Sequence, residues 1–344
     1  MENNHHNITI NDIARELEIS GSTVSRALHD DTRISQEVIK KVKRAAARLG
    51  YIPNVAARSL RTGKSNTIGL LVRDINDGWS STVIPQVEKN CTERGYGLLL
   101  CNANNDPQME KYYLRVLQQR RVDGVLILTP IYPTADPYYI YSQSTPLVLV
   151  DTELNQPLVN AITVDHELGG YLSTQYLLRL GHRRIAYLAG PMNLSPNIMN
   201  VRGYKRAMME AGIQPQEQLI VVTAYTGIQD GAEGMLDILK INPRLTALAT
   251  FSDLVAAGAL DAAKRNGIRI PEDFSIIGYD DIPMSSLISP PLTTVIQDKE
   301  MLGGMAVNML CQVINGDTQP PQQYKIPPKL VVRKSTAPPK SENP

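Results

Sequence analysis

The chain has 344 residues, 42% hydrophobic and 20% charged, which is room for two or three compact units of about 150 residues each and excludes a disordered, collagenous or coiled-coil rod protein. Lys and Arg number 35 against 34 Asp and Glu, so the net charge is only +1. No apolar run approaches the roughly 20 residues that span a bilayer, the polar stretch Met1–Asn7 reads as no signal peptide, and three widely spaced cysteines (Cys91, Cys101 and Cys311) fit a reducing cytoplasm better than a disulfide framework.

The near-neutral balance hides an asymmetry. Residues 1–64 carry eleven basic and seven acidic side chains, and from Lys40 to Lys64 there are eight basic residues and no acid. Such a stretch suits phosphate contact, although charge alone leaves a solvated helix face equally open. His5-His6 has no further Cys or His nearby, so no metal site is expected. Ile10, Ile13, Ala14 and Leu17 fall at i, i+3, i+4 and i+7, which predicts a helix capped by Thr9 with Asp12 completing a capping box. A second helix is predicted over Ser22–Leu28, with Val24, Ala27 and Leu28 on its apolar side and Ser22, Ser25 and Arg26 on the other. A third runs from a cap at Ser35 through Leu49 to Gly50, a glycine placed where a helix terminates. Two short helices joined tightly and backed by a third make a helix-turn-helix, or equally any three-helix mini-bundle. The following Asn54–Thr62 segment is only about two helical turns, marginal alone in water, and is expected to order on binding; Leu60 by itself reads as a buried linker residue.

Beyond Lys64 short apolar runs alternate with helical patterns. Strands are predicted at Thr67–Val72, Gly97–Cys101, Gly124–Leu128, Leu147–Val150, Ala161–Val164, Arg184–Ala189, Leu219–Thr223, Ala247–Thr250 and Phe274–Tyr279. Continuous apolar runs of this length suit parallel strands covered on both faces, and there are too many for one sheet. Two βαβ subdomains are expected, with Thr293–Asp298 crossing back to the first and Tyr324–Lys334 returning to the second. Ligands of open α/β sheets bind beyond the carboxyl ends of strands. That rule selects Asp74 through Trp79, Asp151, Asp253 and Asp280, with Arg202 opening a helix over Val201–Ala211 after a long loop. Carboxylates, a guanidinium and one aromatic face are what a sugar requires, and Trp79 is the only tryptophan. A nucleobase stays open, since Trp79 would stack on either. His29, His166 and His182 are scattered and read as caps or surface groups. No phosphate loop, dinucleotide fingerprint or nucleophile elbow occurs, so no cofactor and no enzymatic activity are expected.

Several motifs together resemble the lactose/galactose repressor family: Ile10-Asn11-Asp12-Ile13-Ala14 with Thr23-Val24-Ser25-Arg26, then Gly50-Tyr51-Ile52-Pro53-Asn54 with Ala57-Arg58-Ser59-Leu60, and Thr67–Val72. Arg120–Val125, Leu180–Ile185 and Ile277–Asp281 continue the resemblance in order, almost to Lys334. The resemblance implies an all-α helix-turn-helix headpiece over 1–53, a hinge over 54–64, a periplasmic-binding-protein-like α/β core over 65–336 built of two doubly wound parallel-sheet subdomains, and a tail over 337–344. The first subdomain would take 65–163 and 293–322, and the second 164–292 and 323–336. The family function implied is a cytoplasmic, DNA-binding transcriptional repressor, a homodimer on imperfectly palindromic double-stranded operator DNA, tuned by a small effector such as a sugar. Thr9, Ser22, Thr23, Ser25, Arg26, Asn54, Ala57, Arg58, Leu60 and Lys64 would meet DNA, with Leu60 wedged into the minor groove. By the same resemblance Arg202 and Asp280 hold the effector, with Asp151 and Asp253 matching less firmly. Asp77-Gly78-Trp79-Ser80 departs from the family's usual Asn-Pro-aromatic-aromatic run, and Gly21 stands where many relatives carry a large base-reading side chain. The segment after Ser335 lacks leucine heptads, which predicts a dimer and no tetramer. A sugar-transport protein would share the core but has no reason to carry the headpiece.

Overall fold

The computed structural model describes residues 8–51, 63–132, 134–156, 158–224, 226–242 and 244–340. It divides into two compact units, 1–65 and 66–344. Asn54, Ala57, Arg58 and Leu60 lie outside the described residues.

The first unit is three helices: α1 (Ile10–Leu17), α2 (Gly21–Leu28) and α3 (Gln36–Leu49). Thr9 starts α1 as expected, its amide donating to the Asp12 carboxylate at 2.9 Å and its hydroxyl at 2.7 Å. Ser20 and Ser35 cap the other two through the amides of Thr23 and Val38. Gly50 ends α3 at φ 69°, a left-handed turn that a side chain would oppose. Ile13, Val24, Ala27, Ile39, Val42, Ala45 and Ala46 meet in one buried cluster, so the apolar stripe read from sequence is the core of this unit.

The second unit holds two six-stranded sheets. In chain order its elements are β1 (Thr67–Val72), α4 (Ser80–Glu93), β2 (Gly97–Asn102), α5 (Pro107–Gln119), β3 (Gly124–Leu128), α6 (Asp136–Ser142), β4 (Leu147–Val150) and β5 (Asn160–Val164). Then follow α7 (His166–Arg179), β6 (Ile185–Ala189), α8 (Ser195–Glu210), β7 (Ile220–Val222), α9 (Ile228–Ile241), β8 (Ala247–Thr250), α10 (Asp253–Arg265) and β9 (Ser275–Asp280). The last four are β10 (Thr293–Ile296), α11 (Lys299–Ile314), β11 (Gln323–Ile326) and β12 (Lys329–Val331). The first sheet runs β11-β5-β4-β3-β1-β2 and the second β12-β10-β9-β8-β6-β7. All pairings are parallel except β10 with β12. Central strands are buried along their length, as their apolar runs require.

Two expected assignments change. Thr293–Ile296, predicted to belong to the first subdomain, is β10 of the second sheet, paired with β9. Its threonines fix it there: Thr294 donates to Asp253 at 2.5 Å, and the Thr293 amide donates to Ser335 at 2.9 Å. The chain crosses only afterwards, at 297–298, to α11 against the first sheet. Residues 323–326, predicted for the second subdomain, are β11 of the first sheet, beside β5. The return to the second sheet comes at 327–328. The tail expected from 337 is also no loose end at its start. His182, far from being a surface group, is buried and joins Thr246 at 2.9 Å and the Ala337 carbonyl at 2.9 Å, while Lys340 pairs with Asp273.

In the second lobe, helices meet at glycines. A Cβ on Gly258 of α10 would lie 1.8 Å from the Ile228 carbonyl oxygen at the start of α9, and one on Gly231 would lie 2.0 Å from that of Val255. Only hydrogen fits between these backbones.

Candidate functional site

The headpiece exposes one face of α2. Val24 and Ala27 are buried, which turns Ser22 and Arg26 outward, with Thr23 and Ser25 half-buried at the edges. Ser20 ties the start of the helix down: its hydroxyl lies 2.8 Å from those of both Ser22 and Thr23. Ser22 and Thr23 therefore share their hydroxyls with the cap, and Arg26 is the long donor on the exposed face. His29 donates through Nδ1 to the Ser25 carbonyl at 2.6 Å, closing the helix. Gly21 sits close beneath α1, where a Cβ would come within 3.2 Å of Asn11 Oδ1. On α3, Lys43 is paired with Asp30 and Arg48 with Glu16. Among the described residues Lys40, Lys41 and Arg44 are exposed and carry no ion pair; Thr9 and Lys64 are exposed too.

Arg26→Ala is accordingly expected to relax base preference at one position per half-site, worth about 1–3 kcal/mol for a bidentate guanine contact. Lys64→Ala should lower the salt dependence of binding and leave the preferred sequence alone. Binding-site selection on both variants checks this, and an unchanged logo for Arg26→Ala would remove that residue from base reading.

In the larger unit a cleft opens where the two sheets' carboxyl ends converge. Its inner end is a cavity of about 50 Å³ lined by Arg73, Asp77, Trp79, Asp151, Asp280 and Asn200, among others. The turns that present these groups hold left-handed backbone at non-glycine residues: Asn104 and Asn105 after β2, Thr129 after β3, Asp151 after β4, and Asp280 (φ 109°) at the end of β9 with Asp281 following it. Strained backbone repeated around one cleft is a mark of a functional site.

Three carboxylates and one guanidinium line this cavity. Arg73 is buried; it donates through Nη1 to Asn105 Oδ1 at 2.6 Å and pairs with Asp77 at 3.5 Å. Burial pushes the Asp77 carboxyl up, with the Arg73 cation opposing. Burial, then the neighbouring Asp253 and Asp77 charges, hold Asp280 well above the usual carboxylate range, which favours its neutral, hydrogen-donating form. Gln297 Nε2 donates to Asp280 Oδ1 at 2.6 Å. Asp151 accepts from Thr129 at 3.2 Å and lies 2.7 Å from His166 Nε2, whose Nδ1 is 3.0 Å from the Tyr279 hydroxyl. That chain runs from the first sheet, through the first residue of α7, to β9 of the second, and it is buried throughout. His166 is thus an interior link, not the cap or surface group its isolation in the sequence suggests. Among the described residues, four buried polar atoms of the lining have no partner: Arg73 Nε, Trp79 Nε1, Asn200 Oδ1 and Gln297 Oε1.

The expected site residues part company. Trp79, Asp151 and Asp280 line the inner cavity, and Asp74 lines an outer chamber continuous with it. Trp79 also packs into the apolar cluster of the first sheet, with 4% of its surface exposed. Arg202 does not reach the cavity. Helix α8 begins at Ser195, six residues earlier than predicted, so Arg202 is mid-helix, exposed, and 3.7 Å from Met199 Sδ. Asn197 and Asn200 hold the inward face instead. Asp253 is likewise elsewhere: its carboxylate is spent inside the second lobe on the Ile282 amide (2.9 Å), Ser285 (2.6 Å) and Thr294 (2.5 Å). Arg73 was missed, though it is the residue immediately after β1, and the rule that selected Asp74 applies to it equally.

Residues 9–54 match the model of the bacterial regulatory proteins of the lacI family, and residues 174–336 that of the periplasmic binding protein-like domain. The chain is 36% identical over 333 residues to the HTH-type transcriptional repressor PurR of Haemophilus influenzae, covering 95% of this chain and 98% of that one. It is 35% identical over 328 residues to the ribose operon repressor of Escherichia coli, covering 95% and 99%. Among solved structures, the lac repressor dimer bound to operator and the anti-inducer ONPF superposes with a TM-score of 0.87 at 28% identity, over 96% of this chain and 99% of that chain.

Proposed function

The chain belongs to the lacI family of bacterial regulatory proteins, and from that premise we propose that it is a repressor whose hold on operator DNA is set by a sugar or sugar derivative bound in the core cleft. It is a sequence-specific DNA-binding regulator and not an enzyme. Arg26 and Ser22 face bases, Thr9, Thr23, Ser25 and Lys64 the DNA backbone, and the hinge residues Asn54, Ala57, Arg58 and Leu60 complete the contact. The protein works as a homodimer on an imperfect palindrome, since a two-fold pair of headpieces needs two half-sites. No helix among the described residues is long and apolar enough to cross a membrane, and a regulator of DNA belongs in the cytoplasm.

One observation carries the sugar reading: beside Trp79 and Phe251, the inner cavity gathers three carboxylates with Arg73, and its unpartnered buried atoms are two donors, Arg73 Nε and Trp79 Nε1, and two acceptors, Asn200 Oδ1 and Gln297 Oε1. A hydroxyl both donates and accepts, so a polyol satisfies such a set more fully than a flat base does. With saturating sugar, the emission of Trp79, the sole tryptophan, should shift. Arg73→Ala should weaken that titration by about 1.5–3 kcal/mol, a charge-assisted hydrogen bond's worth, and Asp280→Ala by about 0.5–1.5 kcal/mol, that of a neutral donor, while operator binding persists without its response. Arg202→Ala, outside the cavity, should change it by less than about 0.5 kcal/mol. A panel of sugars and nucleobases decides the class: a nucleobase that binds where no sugar does would overturn the sugar reading.

A further inference from the structure

The inner cavity is only one end of the cleft. It shares Arg73, Leu194 and Thr226 with an outer chamber of about 440 Å³, so the two are continuous. Room for a water-sized body begins at about 10–15 Å³, and on that scale the inner 50 Å³ takes no more than the hydroxylated edge of a ring. The outer chamber by contrast lies within the range of about 300–1,000 Å³ typical of whole small-molecule pockets.

Both lobes build its walls. Asp74, Asn76 and Asn105 come from the turns after β1 and β2, and Asn193 and Asp230 come from the opposite side, after β6 and in α9. Ile131, Pro191 and Leu194 add apolar surface between them. Asn105 is fixed in place, receiving Arg73 Nη1 at 2.6 Å and donating to Asp74 at 2.7 Å. Polar edges with apolar faces between suit a pyranose or furanose, whose hydroxyls ring a C–H face.

We infer that the effector is a disaccharide, with one unit engaged by Arg73, Asp280 and Asn200 at the inner cavity and the second held in the outer chamber between Asn76 and Asn105 on one side and Asn193 on the other. This rests on the sugar reading above. Arg73 stands at the junction and touches both units.

The test is calorimetric titration of the full chain with pentoses, hexoses and the α- and β-linked disaccharides made from them. At least one disaccharide should bind about tenfold or more tightly than either of its constituent monosaccharides. Asn193→Trp, which fills the chamber from an exposed loop position, should cut that advantage to less than about threefold, and Asn76→Ala should reduce it in the same direction. A monosaccharide that binds as tightly as every disaccharide containing it, or a disaccharide advantage untouched by both variants, overturns the two-unit effector and leaves the sugar reading standing. Binding by no sugar of either size overturns both.

Discussion

Gly258→Ala should destabilise the core by at least about 3 kcal/mol, even though alanine is intrinsically the better helix former by about 1 kcal/mol. The obstacle is a backbone carbonyl, Ile228 O, 1.8 Å from where the new methyl must go, and a carbonyl inside a helix cannot swing aside as a side chain would. Helices α9 and α10 would have to separate, opening the cluster that Val255, Ala259 and Met235 close. Gly304→Ala provides the control: a Cβ there has nothing nearer than Asn90 Oδ1 at 3.5 Å, so the same change in α11 should be neutral or mildly stabilising. Urea unfolding of both variants measures the contrast. A Gly258→Ala core within about 1 kcal/mol of the parent would mean that α9 and α10 are not packed backbone to backbone.

Asp253→Ala should cost the core about 3–5 kcal/mol. Three buried donors, the Ile282 amide and the hydroxyls of Ser285 and Thr294, would lose their acceptor at once. The same residue gives a pH signature. Burial raises the Asp253 carboxyl from 3.8 to about 6, against the hydrogen bonds from Ser285 and Thr294 that lower it. A group whose folded value lies above its unfolded one stabilises fully below the unfolded value and loses that contribution as pH rises through the folded one. Asp253 therefore favours the fold near pH 4 and ceases to do so above about pH 6. His182 acts the other way, since burial lowers its value and protonation in acid opposes the fold. Unfolding midpoints of Asp253→Asn between pH 4 and 7 should show the acid-side loss more steeply than the parent, because the compensating carboxyl is gone. An unchanged pH profile would show that Asp253 does not titrate in that window.

The strands of the core were legible because each is an apolar run bounded by polar turns, and the headpiece because caps and a 3.6-residue stripe agree. Sheet membership was not. Thr293-Thr294-Val295-Ile296 is a four-residue run that either sheet would accept, and what places it is a set of side-chain bonds to Asp253, Ser335 and Thr336, distant in sequence. Arg202 was misplaced for a local reason. Ser195-Pro196 reads as loop, yet proline is favoured in the first turn of a helix, and here it stands in that turn. Starting the helix there puts Asn197 and Asn200 three apart on one face and turns Arg202, two residues further, away from it. The relay from Thr129 through Asp151 and His166 to Tyr279 joins four segments of chain, and no periodicity could have announced it.

The three crossings between the sheets bear on the order in which this protein can be made. The first sheet lacks an edge strand until Gln323–Ile326 has been synthesised, and the second until Lys329–Val331 has. The headpiece, with a core of its own that ends by residue 51, has no such debt to later sequence. On a translating ribosome the DNA-reading helices are thus ready some 270 residues before either half of the sensor is complete. A chain cut short anywhere in that interval would carry a folded headpiece on an open-edged core, able to meet phosphate but without a finished effector cleft. Both lobes close within nine residues of one another, so nascent chains pass from a core with both sheets unfinished to one with both complete, with almost no population between.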